Sequence, residues 1–226
     1  MSTTFAELGV PQDLIDALAQ QGIESPFAIQ TLAIKDAMAR RDVCGKAKTG
    51  SGKTLAFSLP AIAHTERNKD GKPTTLVLTP TRELANQITG VVEPLAKARQ
   101  LRTIAVYGGT NIDKQIETIT KGIDIIIATP GRLIDLIERK AMDVALVECV
   151  VVDEADRMAD MGFLPQVEWI LRHIQVNHQT MLFSATLDGA VDTVVKRHLT
   201  DPVFHEVDEP EVCLLYTSPS PRDLST

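Results

Sequence analysis

Two stretches carry residue types whose spacing suits phosphate chemistry. The first is GKAKTGSGKTLAF, Gly45 to Phe57. Gly50 and Gly52 permit backbone turns that aim N–H groups inward at phosphate oxygens. Lys53 is placed to reach β- and γ-phosphates, and Thr54 to put a hydroxyl on Mg²⁺. Thr49 and Ser51 complete the loop. The general pattern asks for glycine at 47, where this chain has Ala47. Alanine is small enough for close approach, provided the backbone there avoids positive φ. The second stretch is VVVDEAD, Val150 to Asp156. Three valines read as a buried strand that delivers Asp153 and Glu154 into the crevice at its carboxyl end. Asp153 is expected to hold Mg²⁺, partly through water, and Glu154 to orient and polarise an attacking water. Together these residues suit hydrolysis of a nucleoside triphosphate, with Lys53, Asp153 and Glu154 as the catalytic set.

The elements that position them follow from hydrophobic pattern. TTLVLT (Thr74–Thr79), RTIAVY (Arg102–Tyr107), DIIIAT (Asp124–Thr129), CVVVD (Cys149–Asp153) and TMLFSAT (Thr180–Thr186) are β-branched and apolar on both faces. Such runs are buried parallel strands, and DVCGKA before the phosphate loop is a shorter one. Helical periods lie between them. RELANQITGVVEPLAKA aligns Leu84, Ile88, Val91, Val92 and Leu95. NIDKQIETIT aligns Ile112, Ile116 and Ile119. DGAVDTVVKRHL aligns Val191, Val194, Val195 and Leu199, with Asp188 as its N-cap. PQDLIDALAQQG and PFAIQTLAIKDAMARR add two helices in front, with Pro11 and Pro26 at their starts and Gly22 ending the first. Strands alternating with helices predict an α/β fold: a mostly parallel sheet with helices on both faces.

Composition narrows the classes. The chain has 226 residues, 44% hydrophobic and 23% charged, with a net charge of -7. Binding of nucleic acid by bulk electrostatics is excluded, so any such binding needs a local patch. Cys44, Cys149 and Cys213 are far apart and odd in number, which excludes a disulfide scaffold and fits a reducing cytoplasm. The start, MSTTFAELG, is no secretion signal, and no apolar run is long enough to span a bilayer. His173 and His178 have no companions for a metal site. The methionines of RMADMGF, Arg157 to Phe163, read as packing.

With both motifs in view, the chain resembles the DEAD-box family of ATP-dependent RNA helicases, whose name Asp153-Glu154-Ala155-Asp156 spells. The resemblance runs from about Thr4 to Val207 and follows the family's first RecA-like domain motif by motif. GIESPFAIQ resembles the Q motif, which implies that Gln30 reads adenine, and Phe5 matches its isolated upstream aromatic. A side-chain amide donates and accepts at once, which suits the adenine edge. PTRELA, GG and TPGR resemble the RNA-backbone motifs, which implies RNA contacts from Pro80, Arg82, Gly108, Gly109, Thr129, Pro130, Gly131 and Arg132. These would hold phosphates without reading bases. Arg82 and Arg132 also have Glu83 and Asp135 as possible ion-pair partners. SAT resembles the motif that couples nucleotide state to unwinding, through Ser184 and Thr186 bonded to the carboxylates of Asp153 or Asp156.

The implied organisation is a Q-motif helical region over residues 1–40 and a RecA-like core over 41–207, with the start of a linker at 208–212. The stretch CLLYTSPSPRD, opening residues 213–226, resembles a translated sequencing adapter. The expectation is that the natural protein continues into a second RecA-like domain bearing arginine fingers, without which the chain hydrolyses ATP very slowly. The rival expectation is a stand-alone, non-catalytic nucleotide-binding module that docks on RNA or protein.

Overall fold

The structure, a computed structural model, describes residues 3–67 and 69–207. The predicted linker and tail, 208–226, lie outside the described residues. Seven strands run in chain order: β1 (Val43–Lys46), β2 (Thr75–Leu78), β3 (Thr103–Val106), β4 (Ile125–Ala128), β5 (Cys149–Asp153), β6 (Gln179–Ser184) and β7 (Val203–Glu206). They form one sheet in the order β3-β4-β2-β5-β6-β1-β7. Every pairing is parallel. Helices fill the connections: α1 (Gln12–Ala19), α2 (Ala28–Met38), α3 (Lys53–His64), α4 (Arg82–Ala98), α5 (Ile112–Thr120), α6 (Pro130–Glu138), α7 (Ala155–Asp160), α8 (Leu164–Leu171) and α9 (Gly189–His198). The predicted class and six predicted strands are present, each within two residues of its expected ends.

Side chains alternate across a strand, so the apolar runs divide between two cores. Ile125 and Ile127, Cys149 and Val151, and Met181 and Phe183 pack with α1 to α4 on one face. Ile126 and Ala128, Val150 and Val152, and Leu182 pack with α5 to α9 on the other. The first core also takes in Phe5, Leu14, Leu18, Ile29 and Ile34, so the leading helices belong to the same packed unit as the sheet. Met158 is buried as expected, whereas Met161 is exposed.

Gly45 in β1 lies under the Phe183 ring, which in turn packs tilted against Phe57 at 5.6 Å between centroids. A Cβ at 45 would sit 2.5 Å from two ring carbons. Overfilling a packed core costs about 1–3 kcal/mol. Gly45→Ala is therefore expected to lower the urea midpoint by a corresponding amount. An unchanged midpoint would mean that the ring yields freely.

Strand β7 is an addition to the predicted sheet. Its burial alternates, and Phe204 on its outer side is exposed. It is anchored from Asp42, whose Oδ2 accepts from Thr200 N at 2.6 Å and whose carbonyl accepts from Val203 N at 2.8 Å. A Lys46–Glu206 ion pair closes the same edge.

Candidate functional site

The predicted site segments all lie at the carboxyl edge of the sheet. The strand order sorts them into two groups. Neighbouring strands β5, β6 and β1 bring Asp153, Ser184 and the phosphate loop together. Neighbouring strands β3, β4 and β2 bring Gly108, Thr129 and Pro80 together.

In the first group, Gly50 and Gly52 take φ of 87° and 89°. Gly52 has a second reason to lack a side chain. A Cβ there would meet Gln30 Nε2 at 2.6 Å and Phe27 Cδ2 at 2.7 Å. Ala47 is not among the residues with positive φ, which explains why alanine is tolerated at that position. Its carbonyl accepts from Lys53 Nζ at 2.9 Å. Lys53 also pairs with Glu154 Oε1 at 3.1 Å, and both side chains are 5% exposed or less. Thr49 donates its hydroxyl to the same oxygen at 3.0 Å. Glu154 has φ 54° and ψ 49°, a left-handed conformation that costs a non-glycine residue about 1–2 kcal/mol. Arg40, Gln100 and Lys140 share that conformation, but in turns just after helices. Glu154 takes it at the entrance to α7, where its side chain meets Lys53.

Asp153 is buried, and its Oδ1 has no partner among the described residues. Burial pushes its carboxyl up to about 7; the Lys53 charge opposes that shift and the Glu154 charge adds to it. A buried carboxylate oxygen without a donor, beside a phosphate loop, is suited to a cation. Among the described residues no group of three or more His, Cys, Asp or Glu could cage a metal alone. Thr54, the second residue of α3, is the other predicted ligand. Cys44 and Cys149 are free and buried, and burial pushes both thiols up to about 12, so neither is a nucleophile at neutral pH.

The residues assigned to the base are placed differently from one another. Gln30 is buried against the loop. Its Oε1 accepts from Phe27 N at 2.9 Å, and its Nε2 donates to Gly52 O at 3.0 Å. Donor and acceptor are both in use, on the phosphate loop and on the start of α2. Phe5 departs from expectation. It is 2% exposed and packs in the core with Leu8 and Leu14, so its ring has no free face for stacking on a base. The exposed ring beside Gly52 is Phe27, at 62%. It stands within the quoted GIESPFAIQ, and no periodicity singles it out.

In the second group, Pro80, Arg82, Gly108, Thr129, Pro130, Gly131 and Arg132 line one cavity of about 300 Å³. Gly109, with φ 77°, forms the adjoining turn outside that lining. Helices α4 and α6 begin here, and their first N–H groups favour an anion. Thr81 caps α4 by accepting from Leu84 N at 3.3 Å. The Arg82 guanidinium lies 5.2 Å from the Tyr107 ring centroid, a cation–π contact. Arg132 donates to Thr110 O at 3.2 Å and to Gln115 Oε1 at 3.0 Å, bracing α6 against the turn before α5. Asp135 is paired with Arg139 instead. Tyr107, Phe163 and Gln166 complete the lining. Sequence reasoning missed all three, because nothing local ties residue 163 or 166 to this edge.

The coupling residues correct one expectation. Ser184 donates to no carboxylate among the described residues; its Oγ accepts from the backbone N–H of Asp156 at 3.0 Å. The first N–H groups of α7 lack helical partners, and the end of β6 supplies one. Thr186 is exposed and forms no hydrogen bond with the described residues. Asp156 Oδ1 is buried without a partner among them.

Comparison with known proteins places this geometry. The family model described as DEAD/DEAH box helicase matches residues 27–194. DEAD-box ATP-dependent RNA helicase 24 of Oryza sativa is 46% identical over 204 residues, covering 88% of this chain and 26% of the relative. The ATP-dependent RNA helicase SrmB of Escherichia coli is 44% identical over 205 residues, covering 89% and 46%. The chain thus spans less than half of the length of these relatives. Among solved structures, a DEAD box protein from Methanococcus jannaschii superposes with a TM-score of 0.85 at 32% identity, covering 92% of this chain and 57% of that one. A hypothetical ATP-dependent RNA helicase from Sulfolobus tokodaii gives 0.79 at 33%, covering 87% and 57%. With its phosphate loop, its Asp-Glu-Ala-Asp strand end and its parallel sheet, the chain belongs to the DEAD/DEAH box helicase family.

Proposed function

We propose that this chain binds ATP·Mg²⁺ on its phosphate loop and an RNA backbone in the neighbouring groove, as one wall of an ATP-dependent RNA helicase. The carrying observation is the buried cluster of Lys53, Glu154 and the unpartnered Asp153 oxygen under the loop. On this reading Lys53 exchanges Glu154 for the β- and γ-phosphates. Glu154, released, orients the attacking water. Thr54 and Asp153 would hold Mg²⁺, which would supply neutralisation of phosphate charge. Gln30 reads adenine by exchanging its two present hydrogen bonds for the base edge. Ser184 and Asp156 pass the nucleotide state to the groove through α7. Arg82 and the starts of α4 and α6 hold RNA phosphates, so a chain of net charge -7 needs only this local donor set. The additional length that relatives carry supplies the rest of the cleft, and RNA-stimulated turnover belongs to that longer protein. The support is the family membership, the relatives' names and the two adjoining sites.

The test is a titration with a fluorescent ATP analogue in Mg²⁺, competed by ATP and GTP. ATP is expected to compete about tenfold or more better than GTP, because a site that hydrogen-bonds one edge penalises another. Equal competition would remove Gln30 from base reading, and absence of nucleotide binding would overturn the proposal.

A further inference from the structure

The amino edge of the sheet, opposite both sites described above, carries a cavity of about 610 Å³. Three connections wall it: the loop before β2, the turn between α5 and β4, and the turn after α6. They are braced together. Ile123 N donates to Gly71 O at 3.0 Å, and a Cβ on Gly71 would meet Gly122 Cα at 3.0 Å. Lys72 reaches Asp143 at 2.8 Å and ties the first connection to the third. The Arg102 guanidinium is held in one orientation. It donates twice to the Asp124 carboxylate, at 3.1 Å each, and once to Lys121 O at 2.7 Å. Three of the five N–H donors of a guanidinium are thus used, which leaves two without a partner among the described residues. Gly122 makes room for this group, because a Cβ there would run into Arg102 Nη1.

The cavity gathers positive charge. Arg67, Lys69 and Lys140 also line it, are exposed, and form no ion pair among the described residues. The carboxylates of the lining are Asp70 and Asp143, and Lys72 already neutralises Asp143. Lys121 is paired with Glu117 at 2.9 Å. A chain of net charge -7 therefore concentrates cations in one concavity, where walls of one sign focus the field on an anion. None of the described lining residues is aromatic, so nothing there stacks the bases of a single strand. The volume suits a compact ligand. Phosphate oxygens match both the guanidinium and the ammonium donors.

We propose that this cavity binds a small anion carrying two or more phosphate groups, at a site separate from the phosphate loop. Arg102 holds one phosphate with its two remaining donors, and Arg67, Lys69 and Lys140 neutralise the others. The site shares no residue with the nucleotide or groove halves, so it stands or falls apart from them.

The test follows backbone amide resonances of the isotope-labelled chain during titration with inorganic tripolyphosphate, without Mg²⁺. Gly71 and Gly122 report on the cavity, and Gly50 and Gly52 on the phosphate loop. Saturable shifts are expected at Gly71 and Gly122. The double variant Lys69→Ser, Lys140→Ser is expected to weaken that response about tenfold or more and to leave Gly50 and Gly52 unchanged. Both replaced side chains are exposed, so the fold is not at stake. Shifts confined to Gly50 and Gly52, shifts that never saturate, or an unaltered response in the variant each overturn the inference. Oligouridylate and oligoglutamate are titrated alongside. If either moves Gly71 and Gly122 at lower concentration than tripolyphosphate does, the occupant is a macromolecule and the assignment to a small anion falls. A missing response at Gly50 and Gly52 alone counts against the nucleotide reading and leaves this one in place.

Discussion

Replacing Lys53 by alanine is expected to destabilise the chain by about 3–5 kcal/mol, the scale for breaking a buried ion pair by removing one partner. Glu154 would remain buried with only the Thr49 hydroxyl on the oxygen that Lys53 now shares. The Ala47 carbonyl would lose its donor as well. The double variant Lys53→Met, Glu154→Gln removes both charges and is expected to recover most of that stability. Neither variant is expected to bind nucleotide, because the amine proposed to contact the phosphates is absent from both. Urea unfolding and nucleotide titration on the same preparations separate the two effects. If Lys53→Ala unfolds at the wild-type midpoint, the pair is not closed in solution.

Asp153→Asn is expected to act in opposite directions on stability and on binding. Its carboxyl is pushed up to about 7 from an ordinary value of 3.8, chiefly by burial. Between those values the folded chain holds a proton that the unfolded chain has released. Stability from this group is therefore complete below about pH 4 and is lost as the pH rises through 7. At pH 8, without added nucleotide or Mg²⁺, the wild type buries a charged carboxylate, and the asparagine variant does not. The variant is expected to melt several degrees higher at pH 8, on the order of 2–4 °C per kcal/mol for a domain of this size. The difference should shrink toward pH 5. A cation needs the deprotonated oxygen, so wild-type affinity for ATP·Mg²⁺ is expected to rise from pH 6 to pH 8 with release of a proton. The variant should lose that pH dependence along with most of the affinity. Calorimetry in two buffers of different ionisation enthalpy reads the proton directly. Wild-type binding with no proton release at pH 6.5 would show that Asp153 is already charged.

How much of this was legible beforehand differs from residue to residue. The strands near the centre of the sheet could be read because both of their faces are buried, which forces runs such as Ile125–Ala128 and Cys149–Asp153 to be apolar throughout. Strand β7 could not. It is an edge strand with one exposed side, and what holds it is Asp42, more than 150 residues earlier in the chain. Helix α7 has 6 residues, too short for a period to stand out, whereas α1 and α5, with 8 and 9, could be read. Phe5 misled because an aromatic near a Q-motif pattern and an aromatic in a core have the same sequence signature. The loop glycines and Lys53 were legible because their chemistry is local: positive φ at Gly50 and Gly52, then an amine one residue on.

The sequence by itself determined the parallel α/β sheet, the phosphate loop and the carboxylates at a strand end. Each of these is written within a few consecutive residues. The tertiary structure decided the strand order, and so the division of one sheet edge into a nucleotide half and a groove half. It also decided which partner each polar group meets. Lys53 and Glu154 are 101 residues apart in the chain, and Ser184 meets Asp156 across 28. The reason is that hydrogen bonds and burial depend on distance in space. Residue type and local spacing state what a side chain can do, and packing of the whole sheet selects which of those things it does.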